Sequence, residues 1–142
     1  MINSFDIEII NWLLNYAKQH KIYNKFTLAS TLVFNKKKYG TSTNDYYNIN
    51  VLAKKYNYCN THAEINTIFK STKYLNISNF KNSTLYICGY GKSGKCNLLK
   101  SSKPCKCCYR VINNFNIGRI IYLTNDKQLT IKEDLNEICI SR

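Results

Sequence analysis

"NTHAEINTIF", residues 60–69, places a histidine and a glutamate two positions apart at the predicted start of a helix. Thr61 is followed three residues later by Glu64, the spacing of a capping box, in which each side chain bonds an unpaired amide of the first helical turn. Ile65 and Ile68 then follow at helical spacing and indicate a buried face. Taken alone, this segment predicts an amphipathic helix in which Glu64 is part of the cap.

A second helix start is predicted at "PCKCC", residues 104–108. Pro104 suits the first helical position, where its missing amide costs nothing. Cys105 and Cys108 are three residues apart and therefore lie on one face, one turn from each other. A helix N-terminus lowers the pKa of a thiol, so both sulfurs suit a metal. Cys107 is an alternative ligand, but the spacing favours the other two cysteines.

The two helix starts together supply a set of metal ligands. His62 adds one imidazole to the two thiols of Cys105 and Cys108. Three protein ligands leave the fourth position of a tetrahedral zinc ion open to water, as in catalytic rather than structural sites. A carboxylate beside that water can accept its proton and pass it on. Glu64 therefore has two alternative roles, as a helix cap or as a proton carrier.

Outward from these stretches, the chain alternates between helical and strand-like patterns. The segment from 45 to 60 has no clear period and is expected to be a loop. The alternation in the second half predicts an α/β fold, with a sheet between helices and parallel crossover strands. The predicted elements are a helix at 4–19, a hairpin at about 25–44, a helix from about 62, a strand at 84–90, a helix at 107–115, a strand at 118–124 and a closing helix at 130–138.

H-A-E at residues 62–64, followed by P-C-x-x-C at residues 104–108, resembles the signature of the zinc-dependent cytidine and deoxycytidylate deaminase superfamily. The order of elements from about residue 25 to residue 124 also fits, so the resemblance covers most of the chain. It implies a three-layer α-β-α fold with a mixed sheet. The length of 142 residues fits a single domain over residues 1–142. The resemblance also implies a homo-oligomer.

The resemblance implies a hydrolytic mechanism. Zinc held by His62, Cys105 and Cys108 would activate water, and Glu64 would carry its proton. The hydroxide would attack C4 of a cytosine ring, which yields uracil and ammonia. By the same family analogy, Ala63 would offer a backbone contact around the ring.

Asn44 resembles an upstream asparagine of the same family that contacts sugar hydroxyls. The family has Gly-x-Asn there, whereas Gly40 lies four residues before Asn44 in this chain. The alternative is an asparagine in a turn that bonds its own backbone. Both roles remain open at the level of the sequence.

The formal net charge of +13 predicts a polyanionic partner, such as a nucleotide or a nucleic acid. Five lysines lie in or beside the loop before the zinc-binding cysteines and could hold phosphates: Lys92, Lys95, Lys100, Lys103 and Lys106. Four tyrosines between the hairpin and His62 could stack a base: Tyr46, Tyr47, Tyr56 and Tyr58. A solvated, compositionally biased loop is the alternative reading of the lysines.

The cysteine usage favours a reduced compartment. Seven cysteines is an odd number, and adjacent cysteines in "PCKCC" are poorly placed for separate disulfides. No run of about 18 apolar residues is present, and the first residues carry acids rather than the basic charge of a signal peptide. We therefore expect a cytoplasmic protein with no membrane partner. Cys59, Cys88 and Cys96 could form a second metal site or be free thiols.

Three functions follow from these observations. The first is a deaminase of free cytosine nucleosides or nucleotides, such as cytidine, deoxycytidine or dCMP. The second is a deaminase of cytosine or adenine in single-stranded RNA, DNA or tRNA, which the charge would support. The third is a non-catalytic zinc-fold protein that binds nucleic acid. The sequence favours the first.

Overall fold

The computed structural model describes residues 2–22, 25–58, 60–91, 103–125 and 129–135. Its five strands form one sheet in the order β2-β1-β3-β4-β5. Strands β3 and β4 are parallel, and the other neighbouring pairs are antiparallel. The elements are α1 (Ser4–Gln19), β1 (Thr27–Phe34), β2 (Lys37–Thr43), α2 (Val51–Lys55), α3 (Ala63–Ser71), a 3-10 helix (Ile77–Asn82), β3 (Thr84–Tyr90), α4 (Lys106–Asn114), β4 (Arg119–Asn125) and β5 (Leu129–Leu135).

Apolar side chains on both faces of the sheet produce three layers. On one face, Ile10 and Leu13 of α1 pack in a cluster with Tyr86 and Cys88 of β3. On the other face, α2, α3 and α4 contribute to a larger cluster that includes Ile87 of β3. Because β3 is buried along its whole length, it is the central strand of the core. The predicted α/β fold with a parallel crossover is confirmed.

The predicted hairpin is formed by β1 and β2. Asn35 and Lys36 connect the strands with φ angles of 51° and 63°. Two central residues with positive φ are the requirement of a type I′ turn, whose twist matches that of the strands. The register shifts between Leu32 and Val33, which pair with Gly40 and Lys38. Tyr39 is therefore an extra residue in β2 and marks a bulge in that strand.

The face of the sheet under α1 also holds a buried ionic group. Asp6 is 1% exposed and is 2.9 Å from the guanidinium of Arg119. The hydroxyl of Tyr86 donates to the same carboxylate, at 2.5 Å. Arg119 also pairs with Glu133 of β5. The group thus links α1 to three strands of the sheet.

Two local predictions are wrong. The closing helix expected at 130–138 begins instead as β5, because Leu129–Leu135 pairs antiparallel with β4. Long-range strand pairing here overrides the helical propensity of the segment. The expected loop at 45–60 contains α2, which Asn50 caps by accepting a bond from the amide of Ala53.

None of the described helices combines the length and apolar character needed to cross a membrane.

Candidate metal centre

The N-termini of α3 and α4 meet at the carboxyl end of the parallel strands. Both helices pack on the same face of the sheet. Each leads into a strand, α3 into β3 and α4 into β4, that runs antiparallel to the helix. Both helices therefore begin at the same edge, where ligands commonly bind in α/β folds. His62 precedes α3 and Cys105 precedes α4, each as the N-cap residue.

Two contacts hold α3 on the sheet. Ser30 of β1 donates a buried hydrogen bond to the carbonyl of Ala63, and Thr67 donates to the carbonyl of Ser30. Gly40 of β2 lies so close to α3 that a Cβ there would be 2.5 Å from Ser71 Oγ and 2.8 Å from the carbonyl oxygen of Thr67. The start of α3, which carries His62, is thus fixed relative to the sheet.

The capping box expected of Thr61 and Glu64 is not formed. The hydroxyl of Thr61 accepts from the amide of Asn50 and donates to the carbonyl of Asn48. Because Thr61 is used in this way, α3 begins one residue later, with His62 as N-cap. The capping role predicted for Glu64 is therefore wrong.

At α4, a cysteine takes the place of the usual capping side chain. Cys105 is the N-cap, and its Sγ accepts from the amide of Cys108 at 3.5 Å. Pro104 therefore precedes the cap instead of occupying the predicted first helical position. The bond directs the sulfur of Cys105 toward the helix start. Cys107, the alternative ligand, is exposed and lies outside the ligand group formed by the described residues.

The three predicted ligands come together. Nδ1 of His62 is 3.4 Å from Sγ of Cys108 and 4.0 Å from Sγ of Cys105, and all three ligand atoms lie within 4.8 Å of one another. Tetrahedral zinc separates its nitrogen and sulfur ligands by roughly 3.5 Å. Among the described residues, this is the group of three that could hold a metal, and its spacing and chemistry fit zinc.

Burial shifts the pKa values of two of the ligands, His62 and Cys108. It lowers the pKa of His62, which favours the neutral imidazole that binds metals. Without a cation, burial raises the pKa of the Cys108 thiol, and the charge of Glu64 adds to the rise. A bound metal ion reverses that effect, because a coordinating thiol is held as thiolate.

Glu64 lies beside the ligands and is 2% exposed. Burial raises the pKa of its carboxyl group, while hydrogen bonds from its own amide and from Cys108 oppose the rise. Within the described part of the chain, Oε1 has no hydrogen-bond partner. An unsatisfied buried carboxylate oxygen costs free energy. Such an atom next to a metal-ligand set is suited to bind a water molecule or a polar group of a substrate.

Tyr58 contacts two of the ligands, which the sequence did not predict. Its hydroxyl donates to Sγ of Cys108 at 3.4 Å, and its ring stacks on His62 with centroids 4.6 Å apart. Burial, together with the hydrogen bond to Cys108, raises the pKa of Tyr58, so the hydroxyl remains a donor. The sequence feature that could have indicated this contact is a tyrosine four residues before the histidine.

The predicted substrate contacts are placed as follows. Asn44 Oδ1 accepts from the amide of Leu28, and Nδ2 donates to the carbonyl of Phe26. Its side-chain amide thus joins the end of β2 to the start of β1. Ala63 is buried at the start of α3.

Of the four tyrosines predicted to stack a base, three make contacts within the protein. Tyr56 accepts from Asn114, Tyr46 donates to Phe26, and Tyr58 packs on the ligands. Tyr47 is 81% exposed.

The remaining residues singled out in the sequence lie away from the metal centre, beside Cys105 or outside the described residues. Cys88 is buried under α1, where burial raises its pKa to about 12. Lys103 and Lys106 are exposed on either side of Cys105. Outside the described residues lie Cys59, Cys96, Lys92, Lys95 and Lys100.

Comparisons with known proteins place this geometry in context. The model of the cytidine and deoxycytidylate deaminase zinc-binding region matches residues 4–124 of the chain. The fold is similar to that of the 1.6 Å crystal structure of cytidine deaminase from Burkholderia pseudomallei, with a TM-score of 0.58 and 14% identity over 90% of this chain and 93% of that chain. A comparison with curated proteins gives no match. At this identity the structural similarity concerns the fold.

Proposed function

The chain belongs to the cytidine and deoxycytidylate deaminase family, which is defined by its zinc-binding region, and from this membership we propose that it deaminates the cytosine of a free nucleoside or nucleotide. The substrate is of the cytidine, deoxycytidine or dCMP type, and the products are the uracil compound and ammonia. The cofactor is zinc, for which His62, Cys105 and Cys108 are the ligand set.

The position of Glu64 is the observation that carries the proposed hydrolytic deamination. A structural zinc site does not require a buried carboxylate that is neither a ligand nor a cap. Glu64 is 2% exposed, is adjacent to Cys108, and keeps Oε1 unbonded among the described residues. A proton carrier needs such a location, within reach of the reacting atoms and shielded from bulk water.

When bound by His62, Cys105 and Cys108, zinc would supply the polarisation that makes a water molecule a nucleophile near neutral pH. Glu64 accepts one proton from the attacking water and delivers it to N3 of the ring. The new carbon–oxygen bond forms at C4. Glu64 then accepts the second proton of the same water and delivers it to the amino group. The C4–N bond breaks and ammonia departs, which leaves the C4 carbonyl of uracil.

Two further residues serve the substrate in this proposal. Ala63 presents its backbone at the start of α3, between His62 and Glu64 along the chain, and contacts the ring. Asn44 contacts the sugar, with its amide held in place by Phe26 and Leu28. Its bonds to Leu28 of β1 and to Phe26, the residue before β1, would then position the amide before the substrate binds.

The test measures ammonia release by the zinc-loaded protein from cytidine, deoxycytidine, CMP, dCMP and a cytosine-containing single strand. We expect turnover of at least one monomer. Glu64→Gln keeps the shape of the side chain and removes its base, so kcat should fall by about 100-fold to 10,000-fold. Glu8→Gln is the matched control, because Glu8 is exposed on α1, across the sheet from the metal centre.

Three outcomes separate the functions. Turnover of a monomer that is lost only in Glu64→Gln supports the proposal. Turnover of the single strand alone replaces the proposed substrate with nucleic acid. Zinc binding without ammonia release from any of these substrates overturns the proposed deamination of cytosine.

The second candidate is a deaminase of single-stranded nucleic acid. The net charge of +13, the exposed lysines beside Cys105 and the exposed ring of Tyr47 favour it. Binding of an oligonucleotide would weaken steeply with salt, because phosphate contacts release counterions.

A further inference from the structure

Tyr58 reaches the metal centre because of the way α2 ends. Asn57 has a φ of 64°, a left-handed conformation that asparagine tolerates better than most residues. The amide of Asn57 donates to the carbonyl of Lys54, and that of Tyr58 donates to the carbonyl of Ala53. These two bonds form a Schellman motif, which satisfies the last carbonyls of the helix. The chain thus reverses at a defined position immediately before Tyr58.

From this position, one side chain contacts two metal ligands that come from different helices. The ring lies on His62 with an interplanar angle of 23°, which limits rotation of the imidazole. The hydroxyl donates to Sγ of Cys108, so it withdraws electron density from that sulfur. Tyr58 is half-buried and packs against the cluster formed by α2, α3 and α4.

We infer that Tyr58 is a positioning residue of the zinc site, which holds the plane of the His62 ring and tunes the Cys108 thiolate through its hydroxyl. Partners that orient metal ligands from outside the coordination sphere typically change metal affinity by about 10-fold to 100-fold. A hydrogen bond to a thiolate also moderates its donation to the metal, and so affects the polarisation available at the open position. Any effect on turnover rests on the proposed function, whereas the effect on the metal does not.

The experiment substitutes cobalt(II) for zinc and compares wild type with Tyr58→Phe. Loss of the hydroxyl raises the electron density on sulfur, so the sulfur-to-cobalt charge-transfer band should move to longer wavelength. Zinc affinity, measured by competition with a chromophoric chelator, should fall about tenfold. Tyr58→Leu removes the stacked ring as well and should lower the affinity further.

Tyr56→Phe is the matched control. Tyr56 lies two residues earlier, and its hydroxyl accepts from Asn114. Its loss should leave the cobalt band and the zinc affinity unchanged. Urea unfolding of each variant shows whether the fold is retained.

An unchanged cobalt band and zinc affinity in a folded Tyr58→Phe protein would overturn the inference. Equal changes in Tyr56→Phe and Tyr58→Phe would also overturn it, because they would indicate a general effect on α2. A shifted band in a protein that releases no ammonia would uphold the inference while the proposed function fails.

Discussion

Asp6 is a carboxylate buried at 1% exposure on the face of the sheet away from the metal centre. Burial alone would raise its pKa, but hydrogen bonds from Arg119, Tyr86 and the amide of Asn3 outweigh it, and the net result is a lowered pKa. A lowered folded-state pKa adds stability above the unfolded value of about 3.9, and this stability disappears as the pH falls through the folded value.

Asp6→Asn should therefore destabilise the protein in a pH-dependent way. At pH 7 we expect a loss of about 2–3 kcal/mol, less than for a fully buried pair, because Arg119 is 28% exposed and keeps Glu133. The difference from wild type should shrink as the pH falls below about 4. Urea unfolding between pH 3 and 7 measures it.

Glu8→Gln is a control on the same helix, and its stability should follow wild type throughout, since Glu8 is exposed. A difference between Asp6→Asn and wild type that stays constant with pH would contradict the expected titration of Asp6.

The sequence identified His62, Cys105 and Cys108 as a metal-ligand set because their spacing within each helix start is local. It misjudged Thr61, whose hydroxyl is taken by Asn48 and Asn50. It also missed the contact between Tyr58 and Cys108, whose residues are 50 positions apart. A sequence motif indicates which side chains lie at a helix start. It does not indicate which residues distant in sequence form hydrogen bonds with those side chains.

Helix α3 positions His62, its N-cap, and Glu64, in its first turn. The packing of α3 against β2 depends on Gly40. In Gly40→Ala the new Cβ would meet the carbonyl oxygen of Thr67 at 2.8 Å. A backbone atom cannot rotate away, so α3 must move. We expect destabilisation of about 1–3 kcal/mol, together with weaker zinc binding, measured by urea unfolding and chelator competition.

Lys37→Ala, at an exposed position of the same strand, should change neither quantity appreciably. If Gly40→Ala lost stability and retained its zinc affinity, the packing of α3 against β2 would not control the position of the metal ligands.

At the scale of elements, the sequence predicted the first helix, the hairpin, α3, β3, α4 and β4, because each has its own period or turn signals. The last segment failed for a physical reason. Leu129–Leu135 is a strand because β4 offers it a partner, and a local window contains no information about that partner. The short α2 was hidden because five residues are too few to establish a helical period.

Across the whole molecule, zinc should contribute to stability, because its ligands come from two helices. A ligand that binds only the folded chain stabilises it, by about 4 kcal/mol when free zinc exceeds Kd a thousandfold. That corresponds to a rise in Tm of roughly 10 °C or more. Calorimetry with zinc and after chelation should record the difference.

Cys108→Ser should lose most of this zinc-dependent rise. Cys107→Ser is the matched control and should keep it in full, because Cys107 is exposed and outside the ligand group formed by the described residues. Equal losses in both variants would mean that the ligand set is assigned incorrectly.

The chain order of the sheet has a consequence for biosynthesis. Strand β1 pairs with β3, so α1, the hairpin and α3 all leave the ribosome before the strand that completes their core. His62 likewise precedes Cys105 and Cys108, with β3 between them. A nascent chain cannot offer the full ligand set until the central strand and the start of α4 have been translated. Metal binding is therefore expected only after β3 and the start of α4 have left the ribosome.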